Sequence, residues 1–216
     1  MKLQIAGSIC MSLALAWLAP AYADNPPSKL AQAAESKPEV KIPVSSPSKE
    51  TQAKIDELVY EASMGNNQKL LPLLNAGIDP NAASSSGTTA LTNAASLGFK
   101  DTIKLLIAHG ANPNLSRPKD GWAALILASY FGYCDAANVL LESGANVNVT
   151  NLWGETALFH AASQGQERCV EVLLAHGADP APKNDHGYDA LMVAKSRTYS
   201  GIAKKIESAI EKQAKK

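Results

Sequence analysis

One pattern of apolar, small and polar residues recurs four times in the middle of the chain. The copies begin GTTALTNAASLG at Gly87, GWAALILASYFG at Gly121, GETALFHAASQG at Gly154 and GYDALMVAKSRT at Gly187, so their leading glycines lie 34, 33 and 33 residues apart. Within each copy, apolar residues recur at i, i+3 and i+4, which is one face of an α-helix. A fixed period predicts stacked units that bury their apolar faces on one another.

Each copy predicts two short helices and a loop. In the first copy, Leu91, Ala94 and Ala95 form one face of the first helix, and Gly98 ends it because glycine readily adopts the left-handed conformation. A second apolar stripe, residues 103–107, predicts the second helix. Stacked helix pairs offer an extended surface, so the architecture favours binding over chemistry.

The pattern resembles that of the ankyrin-repeat family, G-x-T-P-L-H-x-A-A-x-x-G followed by V-x-x-L-L-x-x-G-A-x-x-N. The segment GETALFHAASQGQERCVEVLLAHGAD, residues 154–179, is the best copy, and the resemblance covers residues 51–210. It implies an all-α solenoid of about five helix-turn-helix repeats joined by β-turn loops. We assign approximate repeats to residues 51–81, 82–114, 115–148, 149–181 and 182–213.

Departures from the family pattern carry structural expectations. Thr89 can cap a first helix through its hydroxyl, whereas Ala123 and Asp189 stand at that position in later copies, so the usual cap is missing or changed there. The loop after Asn114 is one residue longer than its counterparts. Pro72 lies within the second helix of the first repeat and predicts a shortened or bent helix.

The family histidine is replaced in all four clear copies. We expect this replacement to remove the usual polar ties between repeats. The substituting residues are Thr92, Ile126, Phe159 and Met192.

The N-terminus predicts a secretory signal peptide over residues 1–23. Lys2 precedes an apolar run over residues 9–18, and Ala21-Tyr22-Ala23 is a small-x-small cleavage site. We therefore expect cleavage after Ala23 and a periplasmic location, with secretion as the alternative. Residues 24–50 are rich in proline, serine and charge without apolar periodicity, which predicts a disordered linker before the ankyrin-repeat domain, residues 51–213.

The charge balance bears on the choice of partner. The chain has 20 basic and 20 acidic residues, and loss of Lys2 with the signal peptide leaves 19 against 20. A nearly neutral chain lacks the positive field that gathers nucleic acid or anionic membrane. No later apolar run approaches spanning length. We expect a protein partner, no nucleic acid, no membrane insertion after cleavage, and a monomer.

The residues give little support to catalysis. His109 and His176 occupy equivalent AHGA positions two repeats apart, and stacking separates them too far to share a zinc ion. We expect both to flank helix ends. His160 and His186 have no partner at metal-ligand spacing, and no phosphate-binding loop, nucleophile elbow or Cys-x-x-Cys occurs. We therefore assign no catalytic residue, metal or cofactor.

Cys134 and Cys169 remain after signal cleavage, in a compartment that permits disulfides. Both fall on second helices of adjacent repeats. Helix axes about 8–10 Å apart exceed the Cα separation of about 7 Å that a disulfide tolerates. On this reasoning we expect two free, mostly buried thiols, with the bridge as the alternative.

By alignment with the partner-binding columns of the family, the loop tips and exposed sides of the first helices form a candidate surface on the concave face. Tryptophan and tyrosine within it favour an interface, because rigid rings bury large area at little entropic cost. For Trp122, packing between repeats is an equally weighted alternative. The candidate residues are Trp122, Tyr130, Phe131, Leu152, Trp153, Glu155, Gln164, His186, Tyr188 and Arg197.

Together these features predict a non-catalytic periplasmic module that binds an exported or envelope protein. The alternatives are an immunity-type inhibitor of a toxin, a secreted effector that engages host proteins and, least favoured, an enzyme.

Overall fold

A computed structural model describes residues 47–214, which belong to one compact unit. The predicted signal peptide and nearly all of the predicted linker lie outside the described residues. The first helix begins at Lys49, inside the segment that the sequence assigns to the linker.

Ten helices form five consecutive pairs within residues 47–214, with no strand beyond isolated bridges in the loops. Each first helix packs against the first helix of the next repeat, and the second helices form a parallel layer beside them. This confirms the all-α helical solenoid. The first helices are α1 (Lys49–Ser63), α3 (Ala90–Ser96), α5 (Ala124–Tyr130), α7 (Ala157–Ser163) and α9 (Ala190–Ser196). The second helices are α2 (Asn67–Asn75), α4 (Lys100–Ala108), α6 (Cys134–Glu142), α8 (Glu167–Ala175) and α10 (Ser200–Ala214).

A column of alanines lets the first helices approach one another closely. Ala94, Ala128, Ala161 and Ala194 occupy the same position in successive first helices, and each is 0% exposed. Large side chains fill the layer between first and second helices instead. Burying one leucine there contributes roughly 1.5–3 kcal/mol to the stability of the stack.

The N-terminal caps of the first helices follow the sequence. The Thr89 and Thr156 hydroxyls accept hydrogen bonds from the backbone N–H groups of Thr92 and Phe159, and the carboxylate of Asp189 accepts one from Met192. Ala123 provides no side-chain cap to α5. The expectation that the cap is missing in one repeat and changed in another is therefore confirmed.

The expected shortening of α2 by Pro72 is wrong. The helix has nine residues with Pro72 inside it, as many as α4, α6 and α8. Pro72 itself is exposed, while Leu70 and Leu74 are buried against the stack. Tertiary packing of these leucines therefore maintains the helix despite the hydrogen bond that proline cannot make.

Polar ties between repeats are present despite the replaced histidine, because asparagines in the loops supply them. The Asn81 side chain donates to the Gly110 carbonyl at 2.9 Å and accepts from the Asn112 N–H at 2.7 Å. Asn114 makes the same pair of bonds to Gly144 and Asn146 one repeat later. Each bond satisfies a backbone group at the end of a neighbouring helix.

A second set of contacts between repeats depends on glycine in the turn between paired helices. Gly98 has φ +74°, and the Tyr133 ring lies against the side of Gly98 where any other residue would carry its Cβ atom. Phe99 lies over Gly65 and Tyr199 over Gly165 in the same way. Glycine is required here both for its backbone conformation and for the close approach of the next repeat.

Substitution of Gly98 by alanine tests this contact. We expect Gly98→Ala to lower the free energy of unfolding by roughly 2–4 kcal/mol, because left-handed strain adds to the clash with Tyr133. Gly110 has φ +90°, but a Cβ atom added there would meet nothing within 4 Å, so Gly110→Ala should cost only the strain, about 1–2 kcal/mol. Urea denaturation measures both, and equal losses would refute the steric part.

The expectation of free thiols is wrong: Cys134 and Cys169 form a disulfide, with their Cα atoms 4.8 Å apart. Cys134 is the first residue of α6 and Cys169 the third of α8. The same positions in α2 and α4 are Asn67 and Thr102, whose side chains hydrogen-bond at 2.7 Å. The spacing of helix axes overestimates the Cα separation, because facing Cα atoms each lie about 2.3 Å inside it.

Loss of the disulfide should destabilise the stack. The bond closes a loop with a sequence separation of 35 residues, for which the chain-entropy model gives about 4 kcal/mol. We expect the double substitution Cys134→Ser and Cys169→Ser to lower the free energy of unfolding by that order. Guanidinium denaturation of both proteins, with and without reductant, checks this. Reductant should shift only the parent protein, and no shift would mean that the bond does not form.

Candidate functional site

The first helices of repeats 3 and 4 are buried along most of their length. Every residue of α7 is buried, and in α5 only Tyr130 is partly exposed. The candidate surface is therefore divided between the loop tips at one end of the first helices and the turns at the other. Each group of candidate residues belongs to one of these two regions or to the interior.

Four aromatic side chains of repeat 3 form a continuous series, which we call the aromatic run: Trp122, Tyr130, Phe131 and Tyr133. Successive ring centroids are 5.4, 5.0 and 6.4 Å apart. The first two contacts are edge-to-face, a geometry that aromatic quadrupoles favour. Phe131 and Tyr133 are exposed at one end of the run, whereas Trp122 packs against the core at the other.

His160 of repeat 4 forms the floor beneath the buried end of the run. Its ring centroid lies 4.6 Å from that of Trp122 and 5.7 Å from that of Tyr130. Trp122 therefore packs between repeats 3 and 4, as the alternative to partner binding predicts. It also packs against Tyr130. Sequence reasoning missed the roles of His160 and Tyr133, although Tyr133 shares its turn position with Phe99 and Tyr199.

Glu155 does not belong to the exposed surface, which corrects its place among the candidate residues. It is 4% exposed, and its carboxylate accepts hydrogen bonds from the side chains of Asn151 at 2.9 Å and Asn184 at 3.3 Å. The Nε2 atom of His160 lies 3.2 Å from the same carboxylate. This position is exposed in an average repeat. Here Asn151 of the same loop and Asn184 of the next loop cover it.

The loop tips present Leu152, Trp153, His186 and Tyr188. Leu152 and Tyr188 are at least half exposed, whereas Trp153 is half-buried. Two hydrogen bonds of 3.0 Å hold the Trp153 backbone in place. The Trp153 N–H donates to the Asn151 side chain, and the Trp153 carbonyl accepts from the Asp185 N–H. These bonds fix the loop while leaving part of the indole accessible.

The preceding loop is fixed by an ion pair. Arg117 donates to both carboxylate oxygens of Asp120, at 3.0 and 2.5 Å, and its guanidinium lies 5.9 Å from the Trp122 ring centroid. Two parallel hydrogen bonds between a guanidinium and a carboxylate define a single geometry. The extra residue of this loop lies within its turn. The Gly121 N–H donates to the Arg117 carbonyl, and the corresponding hydrogen bonds of the other loops span one residue fewer.

At the other end, the turns between paired helices form a second exposed region, which we call the turn edge. Its exposed side chains are Leu97, Phe131, Tyr133, Arg197 and Tyr199, and Gln164 is half-buried. Gln164 is folded onto the Ser163 hydroxyl at 3.3 Å. Burial raises the pKa of the Tyr130 phenol, and the positive charge of Arg197 offsets part of that rise.

The histidines at helix ends lie where the sequence places them. His109 and His176 are the C-terminal cap residues of α4 and α8. His109 Nδ1 lies 2.9 Å from the Leu105 carbonyl, and His176 Nε2 lies 3.0 Å from the Asn138 side-chain oxygen. Over residues 47–214, no group of three or more His, Cys, Asp or Glu side chains is arranged to hold a metal ion. None of the helices in this range has the length and apolarity that crossing a bilayer requires.

Comparison with known proteins agrees with this architecture. The family model described as "Ankyrin repeats (3 copies)" matches residues 58–151 and 146–215. The chain belongs to the ankyrin-repeat family. Ankyrin repeats are protein–protein interaction modules and are generally non-catalytic, so the turn edge and the loop tips are candidate interaction surfaces of this ankyrin-repeat protein.

Curated relatives match the repeat region alone. "Putative E3 ubiquitin-protein ligase XBAT35" of Arabidopsis thaliana is 38% identical over 160 residues, 74% of this chain and 28% of that protein. "Putative E3 ubiquitin-protein ligase XBAT34" of the same plant is 44% identical over 57 residues, 26% of this chain and 15% of that protein. "Putative ankyrin repeat-containing protein" of Treponema pallidum is 48% identical over 60 residues, 27% of this chain and 20% of that protein. This chain therefore spans less than a third of each relative.

Substitution of Glu155 distinguishes a buried support from a contact residue. We expect Glu155→Ala to lower the free energy of unfolding by about 3 kcal/mol, because Asn151 and Asn184 would lose their buried acceptor. Glu142 is exposed and bonded only to Asn138 on its own helix, so Glu142→Ala should change stability by less than about 0.5 kcal/mol. Thermal melting measures both variants. If the Glu155→Ala protein melts like the parent, Glu155 is not a buried support and is again a candidate contact residue.

Proposed function

We propose that this ankyrin-repeat protein is exported and binds another exported or envelope protein without catalysing a reaction. The observation that carries the proposal is the exposed aromatic surface of repeats 3 to 5, formed by the turn edge and the loop tips. Rigid aromatic side chains supply large contact area at low entropic cost, and monomeric proteins rarely expose many of them together without a partner. The contact residues are Phe131, Tyr133, Trp153, Tyr188 and Arg197.

The way these side chains are held supports the proposal. Tyr130 packs against Trp122 and His160, and its ring centroid lies 5.0 Å from that of Phe131. The Trp153 backbone makes a hydrogen bond through both its N–H and its carbonyl. The surface is therefore ordered before a partner arrives. Preorganisation lowers the entropic cost of association and so favours affinity.

Two features support export. The N-terminal residues have the pattern of a signal peptide with cleavage after Ala23. The disulfide between Cys134 and Cys169 is the second, since disulfides form and persist in oxidising compartments and are rare in the cytosol. The two features are independent, because one lies in the leader and the other within the folded stack.

A crosslinked pull-down from the periplasmic fraction tests the proposal. We expect the native protein to be recovered from that fraction with Asp24 at its N-terminus and with a bound protein. The substitutions Phe131→Ala and Trp153→Ala should weaken binding of the purified partner about tenfold or more, because hot-spot aromatics contribute at least about 1.4 kcal/mol each. Titration of each variant by calorimetry gives the dissociation constants.

Tyr60→Ala is the matched control, since Tyr60 is an exposed aromatic on α1, outside the proposed surface. It should leave the dissociation constant unchanged. Equal binding by all three variants would place the partner elsewhere on the stack. Recovery of the protein only from the cytosol, with its leader intact, would reject export.

A further inference from the structure

Charge is distributed unevenly between the two layers of helices. From α3 to α9, the first helices contain no aspartate or glutamate, whereas α4, α6, α8 and α10 each contain at least one. The turns between paired helices, residues 63–66, 96–99, 130–133, 163–166 and 196–199, contain a single charged residue, Arg197. The turn edge is thus an aromatic surface with one cation at its C-terminal end.

Arg197 makes no ion pair with any carboxylate among residues 47–214, whereas nearby charges are neutralised locally. Lys195 pairs with Glu207 at 2.7 Å, Asp135 with Arg168 at 2.5 Å, and Glu167 with Lys205 at 3.3 Å. Asp101, the remaining carboxylate at the start of a second helix, belongs to repeat 2. The guanidinium of Arg197 is therefore available at the end of the turn edge.

The surroundings of Arg197 suit a carboxylate. Arg197 and Tyr199 are both exposed in the last turn, and Phe131 is exposed at the position equivalent to Arg197 two repeats earlier. Guanidinium groups bind carboxylates through two parallel hydrogen bonds, and the pair strengthens where neighbouring side chains exclude water. A tyrosine hydroxyl beside such a pair can donate a further hydrogen bond to the carboxylate.

We propose that the turn edge binds an extended segment of a partner protein that carries an aspartate or glutamate side chain near an apolar residue. The apolar residue packs on Phe131 and Tyr133, and the carboxylate pairs with Arg197. This inference rests on the proposed function and names the chemistry of its partner.

The fold also sets the spacing between the two contacts. Phe131 and Arg197 occupy the same position in repeats 3 and 5, two stacking steps apart, which is roughly 16–20 Å at the usual spacing of packed helices. An extended chain advances about 3.3 Å per residue. Because long side chains can approach each other across repeat 4, this distance is an upper limit, and the carboxylate should lie no more than about five residues from the apolar anchor.

A displayed library of random 12-residue peptides tests the inference on the mature protein with its disulfide intact. The peptides are fused to the display particle through their C-termini, so that only side chains can offer a carboxylate. Peptides that bind the parent protein but not its Phe131→Ser variant are assigned to the turn edge. We expect these peptides to be enriched in aspartate or glutamate no more than about five residues from an aromatic or aliphatic residue.

Variants of Arg197 test the charge directly, with circular dichroism to verify that each is folded. Arg197→Gln should weaken the best acidic peptide about fivefold, the effect of losing roughly 1 kcal/mol from a partly exposed ion pair. Arg197→Lys should recover part of the loss, and Arg197→Glu should reverse the preference toward lysine-containing peptides. Arg168→Gln, on the second-helix side, should change nothing.

The inference is overturned if turn-edge peptides are neutral or basic, if none depends on Phe131, or if Arg197→Gln binds the acidic peptide as well as the parent does. These outcomes are separable from failure of the proposed function. A natural partner that depends on Trp153 but not on Phe131 would leave the function intact and reject the turn edge. A protein that recruits neither peptide nor natural partner would reject both.

Discussion

Close contact between neighbouring first helices is the constraint on which the structure depends. A pair of short helices cannot bury its apolar face alone, so each repeat requires its neighbours. The alanine column through Ala94, Ala128, Ala161 and Ala194 makes that contact possible, because any larger side chain would separate the helices. Once the spacing is set, the turn at Gly98 brings Tyr133 within reach, and the asparagine side chains reach the carbonyl groups of the adjacent loop.

The junction between repeats 3 and 4 is reinforced on both sides. The Cys134–Cys169 disulfide joins the second helices, while Trp122 and His160 pack between the first-helix sides and Glu155 binds the loop asparagines. Local opening of a repeat stack begins where contacts between neighbours are weakest. The aromatic run lies at this covalently joined junction, which helps its exposed rings to keep one arrangement.

Much of the candidate site follows from position in the repeat, and its exceptions come from contacts across repeats. Phe131, Gln164 and Arg197, which the alignment assigns to one column, are each the C-terminal cap residue of a first helix, because the turn has the same geometry in each copy. Glu155 occupies a column that is ordinarily exposed, but Asn184 of the next loop covers it. The sequence showed both cysteines on adjacent second helices, yet helix-axis spacing was the wrong measure, since two Cα atoms that face each other are several ångströms closer than the axes.

The sequence by itself determined the fold class, the number of repeats, the helix caps and the residues that face the core. These properties depend on local propensity and on a period that one chain repeats several times. Only the tertiary structure decided that the two thiols bond and how Trp122, Tyr130 and His160 stack. It also decided that no carboxylate among residues 47–214 pairs with Arg197. Most of those features depend on contacts between side chains of different repeats, which become defined only when the repeats stack.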